Sequence, residues 1–192
     1  NHPLVEGDYY IVKNSLQLST NTKFEKQAGL SRNLGSLSIK GKPGTFFGSE
    51  GLMGSFAIEF WLCPSISENG ENIFTWETSK TVDDRLVYQM IDASFKDGHI
   101  EWNLTNLFDI YMDQISNPKN INDIVLKGST NIVPDQWSYH SLSYDCESGI
   151  LEYLVNGITE DLVYITSTGT EDGQTFLVFL GTPSEVHFCK EY

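Results

Sequence analysis

The chain has 192 residues, with 12 Lys and Arg against 26 Asp and Glu and a formal charge of −14. A chain this acidic lacks the concentrated basic face that nucleic acid or an anionic membrane surface requires. Its 40% hydrophobic and 12% aromatic content is too rich for a disordered segment, and no apolar run is long enough to span a bilayer. The length fits one domain. Residues 1–34 read as an arm or an extra strand of that domain, with Asn1-His2-Pro3 as a processed or trimmed start. Short strands are expected at 35–40 and 45–47, on either side of a Gly-Lys-Pro-Gly turn. The strongest strand signal is 55–62: Phe56, Ile58, Phe60 and Leu62 alternate with Ala57, Glu59 and Trp61, and Pro64 ends the run.

Weaker strands follow at 72–77, with Phe74 and Trp76 on one face, and at 85–93. Asp97-Gly98 is a hairpin turn into 99–104, where Ile100, Trp102 and Leu104 alternate with His99, Glu101 and Asn103. Leu104, Leu107, Phe108, Tyr111 and Ile115 fit one helix face, and a strand running into a loop fits nearly as well. A meander closes the pattern. Residues 137–145 alternate, Cys146 to Gly149 supply a turn, and 150–155 return. Asn156-Gly157 then has the residues for the two positive φ angles of a type I′ turn into 158–165. The run 174–180 ends at Gly181. Many short strands punctuated by turns imply an all-β sandwich or barrel.

Three cysteines, Cys63, Cys146 and Cys189, have no zinc-ribbon spacing. They form either one disulfide, best placed between Cys146 and Cys189, or none. The sequon Asn103-Leu104-Thr105 falls on an expected strand rather than a loop.

Three stretches in this order resemble the laminin G-like and pentraxin-like group of concanavalin A-type jelly rolls: Ser36 to Gly41 with Phe46-Phe47, Ser55 to Pro64, and Trp137 through Asp145 to Gly157. The resemblance covers roughly 35–181 and implies an all-β jelly-roll sandwich of two antiparallel sheets over 35–192. It also implies a closing strand after Gly181, which this sequence does not visibly supply, so a missing final strand and a larger parent protein are expected. His140 stands where the family has an aliphatic residue. A hydrogen-bonded core histidine is the expectation there, because buried polar groups rarely go unpaired.

Glucanases of the same superfamily carry E-x-D-x-x-E on one strand, which sets their carboxylates on one face. Here Glu59 is followed by Trp61 and Glu101 by Asn103, so that arrangement is absent. A Glu59–Glu101 pair across strands is the residual route to a glycoside hydrolase. No Gly-x-Ser-x-Gly elbow, HExxH or phosphate loop occurs. Calcium would suit the family, and Asp83, Asp84, Glu160 and Asp161 are the candidate ligands by local acidity. Solvated loop acids are the commoner state of such residues.

The expectation is therefore a non-enzymatic module of a larger exported protein, located outside the cytoplasm, with no cofactor unless calcium. It would bind a glycan or a protein partner, without nucleic acid and without membrane insertion. The candidate ligand-binding residues are Trp61, Glu59, Trp76 and Trp102, since sugar recognition stacks aromatic rings and adds polar contacts. For each Trp, core packing is the competing role. A structural or protein-interaction jelly roll with no sugar site is the alternative function.

Overall fold

The computed structural model describes residues 37–65, 67–82, 84–108, 121–165 and 177–189. In chain order these form β1 (Leu37–Lys40), a 3-10 turn (Phe46–Gly48), β2 (Gly51–Met53), β3 (Phe56–Leu62), β4 (Asn72–Val82), β5 (Arg85–Lys96) and β6 (His99–Phe108). There follow β7 (Ile121–Lys127), β8 (Ser138–Asp145), β9 (Ile150–Val155), β10 (Ile158–Tyr164), β11 (Val178–Leu180) and β12 (Glu185–Phe188). A six-stranded sheet has the order β1-β12-β4-β5-β6-β7 and a four-stranded sheet the order β10-β9-β8-β3, while β11 pairs with β2. Every strand pair is antiparallel. This is the expected jelly-roll type of β-sandwich.

The two sheets meet through aromatic rings. Trp102 of the larger sheet packs 6.1 Å from both Phe60 and Tyr153 of the smaller one, and Phe108 lies 4.7 Å from Tyr144. The alternation read at 55–62 survives intact: Ile58 is buried between half-buried Phe56 and Phe60, while Glu59 faces solvent. Both short hairpins form as expected, with φ of 51° and 81° at Asp97-Gly98 and 52° and 80° at Asn156-Gly157.

Several expectations are corrected. Residues 45–47 are not a strand. Phe46 packs on Phe56 and Phe47 on Phe74 and Trp76, so both neighbouring rings enter the core, which a period-two strand forbids. The helical pattern from Leu104 begins instead as the end of β6, and 109–120 lie outside the described residues, as do 1–36 and 174–176. A strand does follow Gly181: β12 inserts between β1 and β4, pairing Val186 with Ile39 on one side and Trp76 on the other. At four residues it is too short to show a period. β7 was also unread, because a single alternation, Ile124 and Leu126 in against Asp123 and Val125 out, carries it.

The β4–β5 hairpin extends beyond the expected limits because its inward positions hold Lys80 and Gln89 rather than apolar residues. Both are buried and are satisfied by β11 and its exit. Lys80 Nζ and Gln89 Nε2 donate to the Phe179 carbonyl at 3.2 and 2.9 Å, and Gln89 Oε1 accepts the Gly181 N–H at 2.8 Å. The chain passes so close here that a Cβ on Gly181 would sit 2.1 Å from the Ser79 carbonyl oxygen. Gly181→Ala is expected to cost about 2 kcal/mol, as overpacking against rigid backbone does. Calorimetry would check this, and an unchanged melting temperature would mean that β11 can slide away.

Candidate functional site

The outer face of the four-stranded sheet carries the side chains that β3, β8 and β9 turn away from the core. Strand pairing sets Trp61 directly opposite Tyr139, with ring centroids 5.4 Å apart and planes at 48°. Both rings are half-buried, and Glu59, two residues along the same face, is exposed. The Tyr139 hydroxyl donates to the Glu59 carboxylate. Burial first, and then this bond and the carboxylate charge, push the Tyr139 phenol up to about 12, so the proton stays on it at neutral pH. The type I′ turn fixes the backbone beneath: Asn156 Oδ1 accepts the Tyr139 N–H at 2.9 Å and the Asn156 N–H reaches the Tyr139 carbonyl at 2.8 Å. Two tilted rings and a carboxylate thus lie together on rigid strands. Chemically, the rings offer apolar π-faces and the carboxylate accepts hydrogen bonds.

Trp61 and Glu59 were candidates from the sequence; Tyr139 was not. The strand period could place Tyr139 on the same side as Ser141 and Ser143. Only the β3–β8 register sets it against Trp61.

Trp76 and Trp102 are corrected. They are 1% and 0% exposed, packed against Phe47, Phe74, Phe60 and Tyr153, and present no ring face to a ligand. Both lie on inward positions of the six-stranded sheet, where large rings fill the gap between layers.

The acidic candidates separate as well. Asp83 lies outside the described residues, and Asp84 is an exposed turn residue with φ of 61°. Glu160 and Asp161 work as a clasp. A bulge in β10 leaves Glu160 as the extra residue between Thr159 and Asp161, which aims both acids off the sheet edge toward β7. Glu160 accepts from the N–H and hydroxyl of Ser129 at 2.5 Å each, and from the N–H and hydroxyl of Thr130 at 2.7 and 2.6 Å. Burial alone would raise its pKa, but these donors outweigh it and hold the carboxyl down at about 2. Asp161 Oδ2 takes the Lys127 N–H at 2.8 Å. These oxygens join the two sheets rather than frame a cation. Among the described residues no group of three or more His, Cys, Asp or Glu side chains is placed to hold a metal.

Glu59 and Glu101 stand on outer faces of opposite sheets, Glu101 paired with Lys96 at 3.4 Å. The cysteines are three free thiols, so the Cys146–Cys189 disulfide is absent. Burial and the nearby Glu71 charge push the Cys189 thiol up to about 11, opposite to what a nucleophilic thiol needs. His140 is wholly buried as expected, its Nε2 2.7 Å from Ser138 Oγ and its Nδ1 2.8 Å from the Tyr153 hydroxyl.

The six-stranded sheet has a polar outer face that sequence reasoning missed. Asp92 Oδ1 accepts from Asn72 Nδ2 at 2.5 Å and Thr75 Oγ1 at 3.1 Å. Beside it, Glu77, Ser79 and Tyr88 line a shallow groove of about 310 Å³ against Thr182, Pro183 and Ser184. Two of its hydroxyl donors are engaged: Thr78 Oγ1 bonds the Thr182 carbonyl and Ser184 Oγ bonds the Glu77 carbonyl.

No protein-family model matches the chain, and no curated protein matches it. Among solved structures, mouse laminin alpha1 chain domains LG4-5 align with 80% of this chain and 31% of that one, at 6% identity and a TM-score of 0.49. Domain 4 of AbnA, an extracellular GH43 arabinanase from Geobacillus stearothermophilus in complex with arabinotriose, aligns with 73% of this chain and 62% of that one, at 11% identity and a TM-score of 0.31. The chain thus spans less than two thirds of either structure. No helix of the described residues is long and apolar enough to cross a membrane.

Proposed function

We propose that this chain is a non-catalytic carbohydrate-binding module of a larger exported protein, and that it holds a sugar chain on the outer face of its four-stranded sheet. The observation that carries the reading is the Trp61–Tyr139 ring pair with the Glu59 carboxylate bonded to the Tyr139 hydroxyl. Pyranose rings present axial C–H groups that lie on aromatic faces, and their hydroxyls donate to a carboxylate. Rigid strands hold the three groups before the ligand arrives, which lowers the ordering cost of binding. The separation of Glu59 from Glu101 on opposite sheets supports a non-hydrolytic role. The engagement of Glu160 and Asp161 in the clasp supports binding that needs no calcium.

A glycan array followed by titration calorimetry tests this reading. Trp61→Ala and Tyr139→Ala are each expected to weaken the best glycan about tenfold, the worth of one aromatic contact, with the β-fold retained and the EDTA response unchanged. A silent array, or hits indifferent to both substitutions, would sink it.

A second reading, a protein-interaction module, is favoured by one feature. The edge strand β10 exposes Ile158, Leu162 and Tyr164 at 69%, 45% and 50%. Stable self-association together with a silent array would select it.

A further inference from the structure

The four-stranded sheet has an unusual charge content. Its strands β3, β8, β9 and β10 contain Glu59, Asp145, Glu152, Glu160 and Asp161 and no Lys or Arg. No Lys or Arg occurs anywhere between Gly128 and Cys189. The basic side chains of the described strands, Lys40, Lys80, Arg85, Lys96 and Lys127, all belong to the six-stranded sheet. The sole histidine of the smaller sheet, His140, points into the core.

On the outer face itself, Glu59 lies two residues along β3 from Trp61, while Glu152, opposite Ser143, and Asp145 lie four and six residues along the sheet from Tyr139. Glu152 accepts from Thr159 Oγ1 at 3.2 Å, and Asp145 from Ser148 Oγ at 2.5 Å. Among the described strands, Asp145 and Glu152 are bonded by neutral hydroxyl donors, and no Lys or Arg of β3, β8, β9 or β10 stands beside them.

We infer that the glycan taken by the Trp61–Tyr139–Glu59 face carries free amino groups, that is, a cationic hexosamine chain. This rests on the carbohydrate reading above and narrows it. An ammonium group meets two attractions here that a neutral sugar does not. The face of Trp is the best side-chain partner for a cation, and a carboxylate stands beside it. An anionic or sulfated glycan meets repulsion from Glu59 beside the rings. Burial of the rings lowers the local dielectric, so these charge effects act more strongly than on an open surface.

The test uses two soluble oligomers of equal length, one of glucosamine and one of N-acetylglucosamine, titrated at low and at physiological salt. The glucosamine oligomer is expected to bind about tenfold more tightly, and the difference is expected to shrink as salt screens it. Glu59→Gln keeps the shape and is expected to bring the two affinities together. Glu101→Gln, a carboxylate on the opposite sheet, is expected to leave the preference intact. Equal affinities in the native protein would overturn the amino-sugar inference while the carbohydrate reading stands. Loss of the preference in Glu101→Gln as well would overturn it too, because the attraction would then be diffuse. Failure of both oligomers and of every array glycan would remove the reading beneath it.

Discussion

Protonation linked to His140 is expected to lower folding stability by about 3 kcal/mol between pH 6.5 and pH 4. Burial, opposed by the nearby Glu160 charge, brings the imidazole down to about 4 from an ordinary value of 6.5. The ring lies between Ser138 Oγ and the Tyr153 hydroxyl and stacks on Phe60 at 5.4 Å. A neutral imidazole has one donor and one acceptor, and two hydroxyls serve both. A charged ring would bring a second proton and a buried charge. Between pH 6.5 and 4 the unfolded chain binds the proton and the folded chain does not, so stability falls with pH through that window and levels off below it. The shift of about 2.5 units at about 1.4 kcal/mol per unit sets the size.

Chemical denaturation at a series of pH values reads this directly. In His140→Gln the slope between pH 6.5 and 4 is expected to lose the His140 contribution, although the variant is less stable throughout. The comparison cancels the general effect of neutralising the chain's excess carboxylates. Parallel curves for the two proteins would show that the imidazole is not the titrating group.

Removing the Glu160 carboxylate is expected to cost about 3 kcal/mol. Its bonds to Ser129 and Thr130 are charge-assisted, and such bonds contribute about 1.5–3 kcal/mol beyond their solvated alternatives. They also span the edges of the two sheets, so their loss frees β10 from the end of β7. Glu160→Gln retains one acceptor oxygen and is expected to cost roughly half as much. The pH signature differs from that of His140. The folded-state pKa is depressed to about 2, so the contribution is whole above about 4.5 and disappears as pH falls toward 2. Urea melts of both variants at pH 7 and pH 3 would measure it. Equal stability of Glu160→Ala and the native chain would mean that Ser129 and Thr130 are served as well by water.

The smaller sheet was the legible part of this chain, because its information is local. The alternation through Phe56, Ile58, Phe60 and Leu62 depends only on the period of a strand. Asn156-Gly157 depends only on which residues accept positive φ. The expectation for His140 needed one further rule, that a buried polar ring must find partners. Trp61 was readable because the set opposite it, Phe56, Ile58, Phe60 and Leu62, is wholly apolar. The same alternation, with polar His99, Glu101 and Asn103 opposite, already favoured core packing for Trp102, and the structure buries it; the binding role considered for Trp76 and Trp102 rested on residue type alone.

By itself, then, the sequence determined an acidic all-β chain, most of its strands, two short hairpins and the outward direction of Trp61 and Glu59. Tertiary structure alone decided the rest. Strand register set Tyr139 against Trp61. The β10 bulge sent Glu160 to Ser129 and Thr130. The approach of β11 made Lys80 and Gln89 inside residues, and the insertion of β12 completed the large sheet. These are contacts between segments distant along the chain, formed by the pairing and stacking of sheets, and no period within one segment carries them.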